Sequence, residues 1–230
     1  MELGGNAAFL VFADADLDKA VEGVMISKFR NAGQTCVCAN RIFVHDSIYG
    51  RFAAKLREAV LALRVGDGLD EGVSIGPLIN QDAVTRVESH IADAVSKGAK
   101  VDCGGARHAM GGTFFQPTIL LEVPPDAELM KEETFGPVAP LTRFFAEEEV
   151  IRMSNDSEFG LASYIYTRDV NRAWSVAEAL ESGMVGINEG LISTEVAPFG
   201  GIKQSGLGRE GSKYGIEEYM DIKYLCFQIS

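Results

Sequence analysis

The chain has no run of basic residues longer than two, and no apolar stretch approaches the roughly 20 residues that cross a bilayer. Lys and Arg together number 21 against 33 Asp and Glu, leaving a net charge of −12. That balance argues against a nucleic-acid or anionic-membrane partner, because both reward basic patches. Cysteine is scarce. Cys36, Cys38, Cys103 and Cys226 in 230 residues make no disulfide framework, so a reducing compartment is expected: the cytoplasm, or the mitochondrial matrix in a eukaryotic source. The three histidines, His45, His90 and His108, lie far apart, and Cys36-x-Cys38 has no second cysteine pair, so no metal site is expected. Met1–Gly5 has neither the basic start nor the apolar middle of a secretory leader. Without such a leader, the glycosylation triplet Asn155-Asp156-Ser157 is a chance match.

What is present suits an ordinary globular protein. The residues are 47% apolar and 23% charged, and the 25 glycines predict many sharp turns. A chain of this length can hide roughly 70% of the surface its unfolded form exposes, enough for one or two domains. Helical spacing of Leu17, Val21, Val24 and Met25 follows Asp14 and Asp16, either of which could cap, and Gly33 is a plausible stop. Phe52, Leu56, Val60 and Leu63 mark a second helix, and Val84, Val87, Ile91 and Val95 a third. Val150, Ile151 and Met153 suggest a short fourth, and Asp169 caps a fifth through Leu180. Strands are expected over 41–45, 118–123, 162–166 and 184–188, where apolar and β-branched residues cluster. Strands separated by helices favour an α/β domain with a mostly parallel sheet flanked by helices. The apolar segment Met220–Ile229 reads as a strand at the chain end, with no partner nearby in sequence. Such a strand suits addition to another subunit's sheet, hence a homo-oligomer.

Four segments could carry chemistry. Cys36 lies past a helix in the Gly-led turn Gly33-Gln34-Thr35-Cys36, where a thiol can be exposed while its backbone N–H faces whatever binds the sulfur. Taken alone, it is more commonly a buried structural thiol. The electronegative end of a helix would raise its pKa, so a base or a bound cation must compensate. Glu2, followed by Gly4-Gly5 on flexible backbone, could swing as a base needed in one step only. Glu132-Glu133-Thr134-Phe135 joins a carboxylate suited to ribose hydroxyls with an aromatic ring suited to a flat heterocycle; a solvated acid pair beside a core Phe explains it equally well. Gly206-Leu207-Gly208-Arg209-Glu210-Gly211 fits the dinucleotide G-x-G-x-x-G pattern, but it follows no strand and leaves no room for a βαβ unit. It is therefore set aside as a phosphate cradle.

Together the segments are more specific than any one of them. Glu2-Leu3-Gly4-Gly5, Phe29 through Cys36, Glu132 through Pro137 and Pro198-Phe199-Gly200-Gly201 through Gly206 resemble, in this order, the signature of the aldehyde dehydrogenase superfamily. Cys36-Val37-Cys38, Asn188 through Ser193 and Gly208 through Gly215 are most similar to its succinate-semialdehyde branch. The resemblance implies an NAD- or NADP-dependent enzyme acting on a small aldehyde, through a thiohemiacetal and a thioester on Cys36. It makes Glu2 the base that activates the hydrolytic water, and it places Glu133 and Phe135 at the nicotinamide ribose. It gives the Cys36 N–H to the oxyanion and Phe199 to the wall of the substrate tunnel. Arg30 and Ser193 would hold the distal carboxylate of succinate semialdehyde, where an Arg fork fits better than Lys. Cys36 and Cys38, a reactive thiol beside a second one, suggest a redox pair. The resemblance also implies a catalytic domain over 1–207, a C-terminal segment over 208–230 with the oligomerisation strand, and an N-terminal dinucleotide-binding domain absent from this chain. On that expectation the fragment alone is inactive. Another aldehyde as substrate, or a non-catalytic assembly module, is the alternative.

Overall fold

Five consecutive apolar residues, Ala7–Val11, form β1, and all five are buried. A strand covered on both faces reads as an unbroken apolar run rather than an alternation, which is why periodicity alone does not predict it. The computed structural model describes residues 1–229. After β1 come α1 (Leu17–Val24), β2 (Ala39–His45), α2 (Tyr49–Leu61), α3 (Gln81–Ser96), β3 (Lys100–Cys103), β4 (Thr118–Leu121) and β5 (Val138–Phe144). The second half adds α4 (Glu147–Asn155), β6 (Phe159–Gly160), β7 (Ala162–Tyr166), α5 (Val170–Ala179), β8 (Met184–Ile187) and β9 (Ile202–Lys203).

The main sheet has seven strands in the order β3-β4-β5-β2-β1-β7-β8. Every pairing in it is parallel except β3 with β4, as expected for an α/β chain. β6 and β9 form a separate antiparallel pair. Phe9 of β1 stacks on Tyr166 of β7 with ring centroids 4.8 Å apart, in the middle of the core. Helix starts follow the short polar side chains. Asp16, rather than Asp14, caps α1 by accepting from Asp18 and Lys19 N–H at 3.2 and 3.3 Å. Asp14 instead accepts from the Thr167 hydroxyl and pairs with Arg172, tying α1 to the turn after β7. Asn80 caps α3 and Asp169 caps α5.

One expectation is corrected, and a second is not confirmed in the chain on its own. The strand over 118–123 stops at Leu121, because Glu122 turns into the left-handed region at φ 53°. The strand over Met220–Ile229 is not formed: residues 221–229 lie in no helix or strand, and Tyr224, Phe227 and Ile229 are each more than four-fifths exposed. A strand needs a neighbour's N–H and C=O groups, and this chain offers the segment none. No helix among the described residues is long and apolar enough to cross a membrane. Gly206–Gly211 belongs to no strand–turn–helix unit. Its first glycine instead backs onto Met1, where an added Cβ would meet the carbonyl oxygen.

The neighbouring strands β5, β2 and β1 position the site. The segments that enter their amino-terminal ends are Glu132–Pro137, Thr35–Cys38 and Glu2–Asn6, and parallel strands bring all three to the same edge of the sheet.

Candidate active site

The turn that carries Cys36 is built by a helix that fails in stages. α1 widens into a π turn over Met25–Phe29 and then tightens into a 3-10 turn over Arg30–Gly33. Asn31 and Ala32 both take left-handed backbone, at φ 52° and 55°, followed by Gly33 at φ 75°. Asn31 tolerates this because its side-chain amide donates to the Gln34 carbonyl at 2.9 Å. Gln34 in turn accepts from Ile79 N–H at 2.9 Å, which fixes the loop to the segment before α3. Beyond Cys36, the buried Tyr164 hydroxyl donates to the Val37 carbonyl at 2.7 Å. The thiol is therefore presented by a braced loop.

Cys36 Sγ–H donates to Glu2 Oε1 at 3.3 Å, so two residues 34 positions apart in sequence meet as expected. Burial first, then the Glu2 carboxylate, push the Cys36 thiol up to about 12; the residue's own backbone N–H opposes that shift. The thiol is raised in the expected direction, but the causes are desolvation and a facing carboxylate rather than the helix end. In this arrangement the proton stays on sulfur.

The glycines after Glu2 serve close packing. A Cβ on Gly5 would lie 2.5 Å from the Cys36 carbonyl oxygen, and one on Gly4 would lie 2.7 Å from Glu133 Oε2. Neither glycine has a positive φ. The flexible backbone expected for Glu2 is in fact clipped down. Leu3 N–H donates to Ser205 O at 2.9 Å, the Ser205 hydroxyl donates to Gly4 O at 2.8 Å, and Glu2 bridges Gly206. Movement of Glu2 is left to its side-chain torsions.

Glu133 Oε1 accepts the Gly5 N–H at 3.0 Å, which brings this carboxylate beside the Glu2 segment. Burial pushes its carboxyl up, and the Gly5 N–H and Lys28 pull it back. Its second oxygen accepts no hydrogen bond among the described residues, which leaves an acceptor that fits a sugar hydroxyl. Phe135, at φ 52°, projects its ring to the surface. Thr134 between them is buried, and its hydroxyl meets His90 Nδ1 at 3.1 Å.

The remaining expected residues are less gathered. Arg30 is exposed, and its charge is felt at the Tyr164 hydroxyl, within electrostatic reach of the Cys36 turn. Ser193 and Phe199 line one shallow cavity of about 410 Å³ with Glu195 and Glu210; Arg30 and Cys36 are not among its lining residues. Cys38 is fully buried, and its Sγ–H donates to the Lys28 carbonyl at 3.4 Å, whereas Cys36 faces Glu2. Sequence reasoning missed the supports: Ser205, Tyr164 and the pair Lys28–Asn40. Ser205 lies inside a quoted motif, but nothing in its spacing reports a through-space partner 201 positions away.

A mostly parallel sheet thus sets a thiol and a carboxylate on the loops entering adjacent central strands. The aldehyde dehydrogenase family model matches residues 1–225, and the chain belongs to that family. It is 68% identical over 226 residues to the NADP(+) succinate-semialdehyde dehydrogenase GabD of Escherichia coli strain K12, covering 98% of this chain and 47% of that protein. It is also 68% identical over 226 residues to glutarate-semialdehyde dehydrogenase of Pseudomonas aeruginosa, with the same coverage. The crystal structure of succinate-semialdehyde dehydrogenase from Burkholderia pseudomallei superposes with a TM-score of 0.98 at 65% identity, covering 100% of this chain and 48% of that one. The chain thus spans about half the length of the curated relatives it matches.

Proposed function

We propose that this chain is the catalytic portion of an enzyme that oxidises a semialdehyde bearing a distal carboxylate, succinate semialdehyde first, to the corresponding dicarboxylate. The observation that carries the proposal is the 3.3 Å contact between Cys36 Sγ and Glu2 Oε1 beside Glu133. Cys36 attacks the aldehyde carbon as thiolate, forming a C–S bond, and its backbone N–H receives the developing oxyanion. A nicotinamide dinucleotide, NAD or NADP, supplies the hydride acceptor when bound. Glu133 and Phe135 are the residues of this chain that would hold its ribose. Glu2 then takes a proton from water, which adds to the Cys36 thioester and expels the thiolate, releasing the acid. The family relationship and the succinate-semialdehyde relatives, which are about twice as long as this chain, support this reading.

Arg30 and Ser193 are the proposed carboxylate-binding residues. In the complete enzyme, Arg30→Ala is expected to raise KM for succinate semialdehyde by roughly ten- to a hundredfold, the cost of one charge-assisted pair of about 1.5–3 kcal/mol. An uncharged aldehyde of similar length should lose far less. Steady-state kinetics with both substrates, and with glutarate semialdehyde as a longer acid, checks the assignment. Equal losses for charged and uncharged aldehydes would leave Arg30 structural.

The same reading makes Cys36 and Cys38 a redox pair. Peroxide oxidises the Cys36 thiolate to sulfenic acid; the Cys38 thiol then displaces water from that sulfur and forms a disulfide. Because Cys38 is buried and bonded to the Lys28 carbonyl, it must leave that partner first, so the second step is the slow one. Mild peroxide should inactivate the enzyme and dithiothreitol restore it, whereas Cys38→Ala should keep its activity but, under prolonged peroxide, pass from the sulfenic to the sulfinic acid and lose the rescue. Full rescue of Cys38→Ala would end this idea. The exposed apolar residues from Ile222 to Ile229 are, on the same reading, the part that joins another copy of the protein.

A further inference from the structure

Lys28 takes no part in the chemistry above, yet it is the only lysine buried among the described residues, with no exposed surface at all. It sits in the π turn two residues before Arg30. Its Nζ donates to Asn40 Oδ1 at 2.8 Å, and Asn40 Nδ2 faces the Gly5 carbonyl at 3.5 Å. Gly5 N–H in turn donates to Glu133 Oε1 at 3.0 Å. A chain of side chain, amide and peptide therefore runs from a buried ammonium to a half-buried carboxylate, through the glycine that packs on Cys36.

We propose that Lys28 is a positioning residue that keeps Glu133 ionised and oriented to accept hydroxyl groups of the dinucleotide ribose. The proposal rests on the assignment of Glu133 to that ribose. An ammonium enclosed in the interior is unfavourable unless an opposite charge lies within reach. Glu133 is the carboxylate that feels Lys28. Burial raises its carboxyl, and the Gly5 N–H, Lys28 and the exposed Arg86 on α3 oppose the rise in that order. The neighbouring titratable groups are otherwise engaged. Glu132, next in the chain, turns to His90 Nε2 at 3.6 Å, and Cys36, which also faces Glu133, holds its proton. The charge matters for binding because an ionised carboxylate only accepts hydrogen bonds, whereas a protonated one spends an oxygen on its own O–H. Asn40 suits the bridge because its amide presents an acceptor to Lys28 and a donor to Gly5 at once.

A purely structural Lys28, holding Asn40 and receiving the Cys38 S–H on its carbonyl, would make a different prediction. The test is dinucleotide binding to the complete enzyme, followed by fluorescence from pH 5 to 9 without aldehyde. Lys28→Met is expected to weaken binding by up to about tenfold on the acid side of the Glu133 titration, since removal of one nearby cation raises a carboxyl pKa by about a unit. The pH at which affinity falls on acidification should rise by a similar amount. Lys28→Arg, which keeps the charge, should shift that pH less than half as far. Lys28→Gln keeps a donor for Asn40 and removes only the charge, so it decides the matter if Lys28→Met does not fold. Its titration should shift as for Lys28→Met. A loss of affinity that is the same at every pH, or no loss, overturns the proposal. If Glu133→Gln binds the dinucleotide as tightly as the unmodified enzyme at pH 8, the ribose assignment itself fails, and that result is distinct from an unshifted Lys28→Gln.

Discussion

Cys36→Ala in the complete enzyme is expected to abolish aldehyde oxidation and any esterase activity, with losses of at least about 10⁴-fold in kcat, as for removal of other covalent nucleophiles. No nearby group can substitute. Cys38 is fully buried and bonded to the Lys28 carbonyl, and Glu2, which faces the site, is a poor nucleophile toward an aldehyde. Glu2→Gln should behave differently, and the Cys36–Glu2 contact fixes the sign. The carboxylate both accepts the S–H and repels the thiolate, so it helps push Cys36 up to about 12. A neutral amide removes the repulsion and weakens the acceptor, so the thiolate forms at lower pH. Alkylation of Cys36 by iodoacetamide, without dinucleotide, should therefore be faster in Glu2→Gln at pH 8, with its pH profile displaced downward. Hydrolysis of the thioester should slow in the same variant, seen as a preserved burst followed by a reduced steady rate. Slower alkylation in Glu2→Gln would mean that Glu2 draws the proton off sulfur in the resting enzyme.

The parts of the fold that were legible in the sequence were those whose signals are local. Asp169 before Ala173 and Val176 marks α5, and the β-branched and small residues of β7 and β8 bound it on either side; all three elements form where periodicity places them. β3 escaped notice because it is an exposed, antiparallel edge strand with two charged residues in four. The end segment is the converse case. Its apolar composition is that of a strand, but pairing belongs to a partner, and sequence pattern reports side chains rather than partners. Cys36 and Glu2 were legible only as members of an ordered set of motifs, since each alone has an ordinary structural explanation. The supports around them, Ser205 on Gly4 and Tyr164 on Val37, act through single hydrogen bonds across more than a hundred residues and leave no periodic trace.

Gly5→Ala should be the most damaging change that alters no chemical group. The added methyl would sit 2.5 Å from the Cys36 carbonyl oxygen and 3.3 Å from Leu161 Cβ, so one obstacle is backbone and neither is the free end of a flexible side chain. Relief requires the β1 entry and the Cys36 turn to move apart. That motion would stretch the 3.0 Å bond from Gly5 N–H to Glu133 and the 3.3 Å contact from Cys36 to Glu2 together. Overpacking of this kind costs about 1–3 kcal/mol of stability. A displacement near 1 Å at reacting groups costs about 100-fold in rate, so kcat/KM should fall at least that far while the protein still folds. Gly50→Ala is the matching control. Gly50 lies in α2, a Cβ there would meet nothing within 4 Å, and its φ is not positive. It should leave kinetics unchanged and raise stability by up to about 1 kcal/mol, because alanine is the better helix former. Urea denaturation and steady-state kinetics on both variants separate the cases. If Gly5→Ala keeps both stability and kcat/KM within twofold of the unmodified enzyme, the close approach of these two segments does not govern the site.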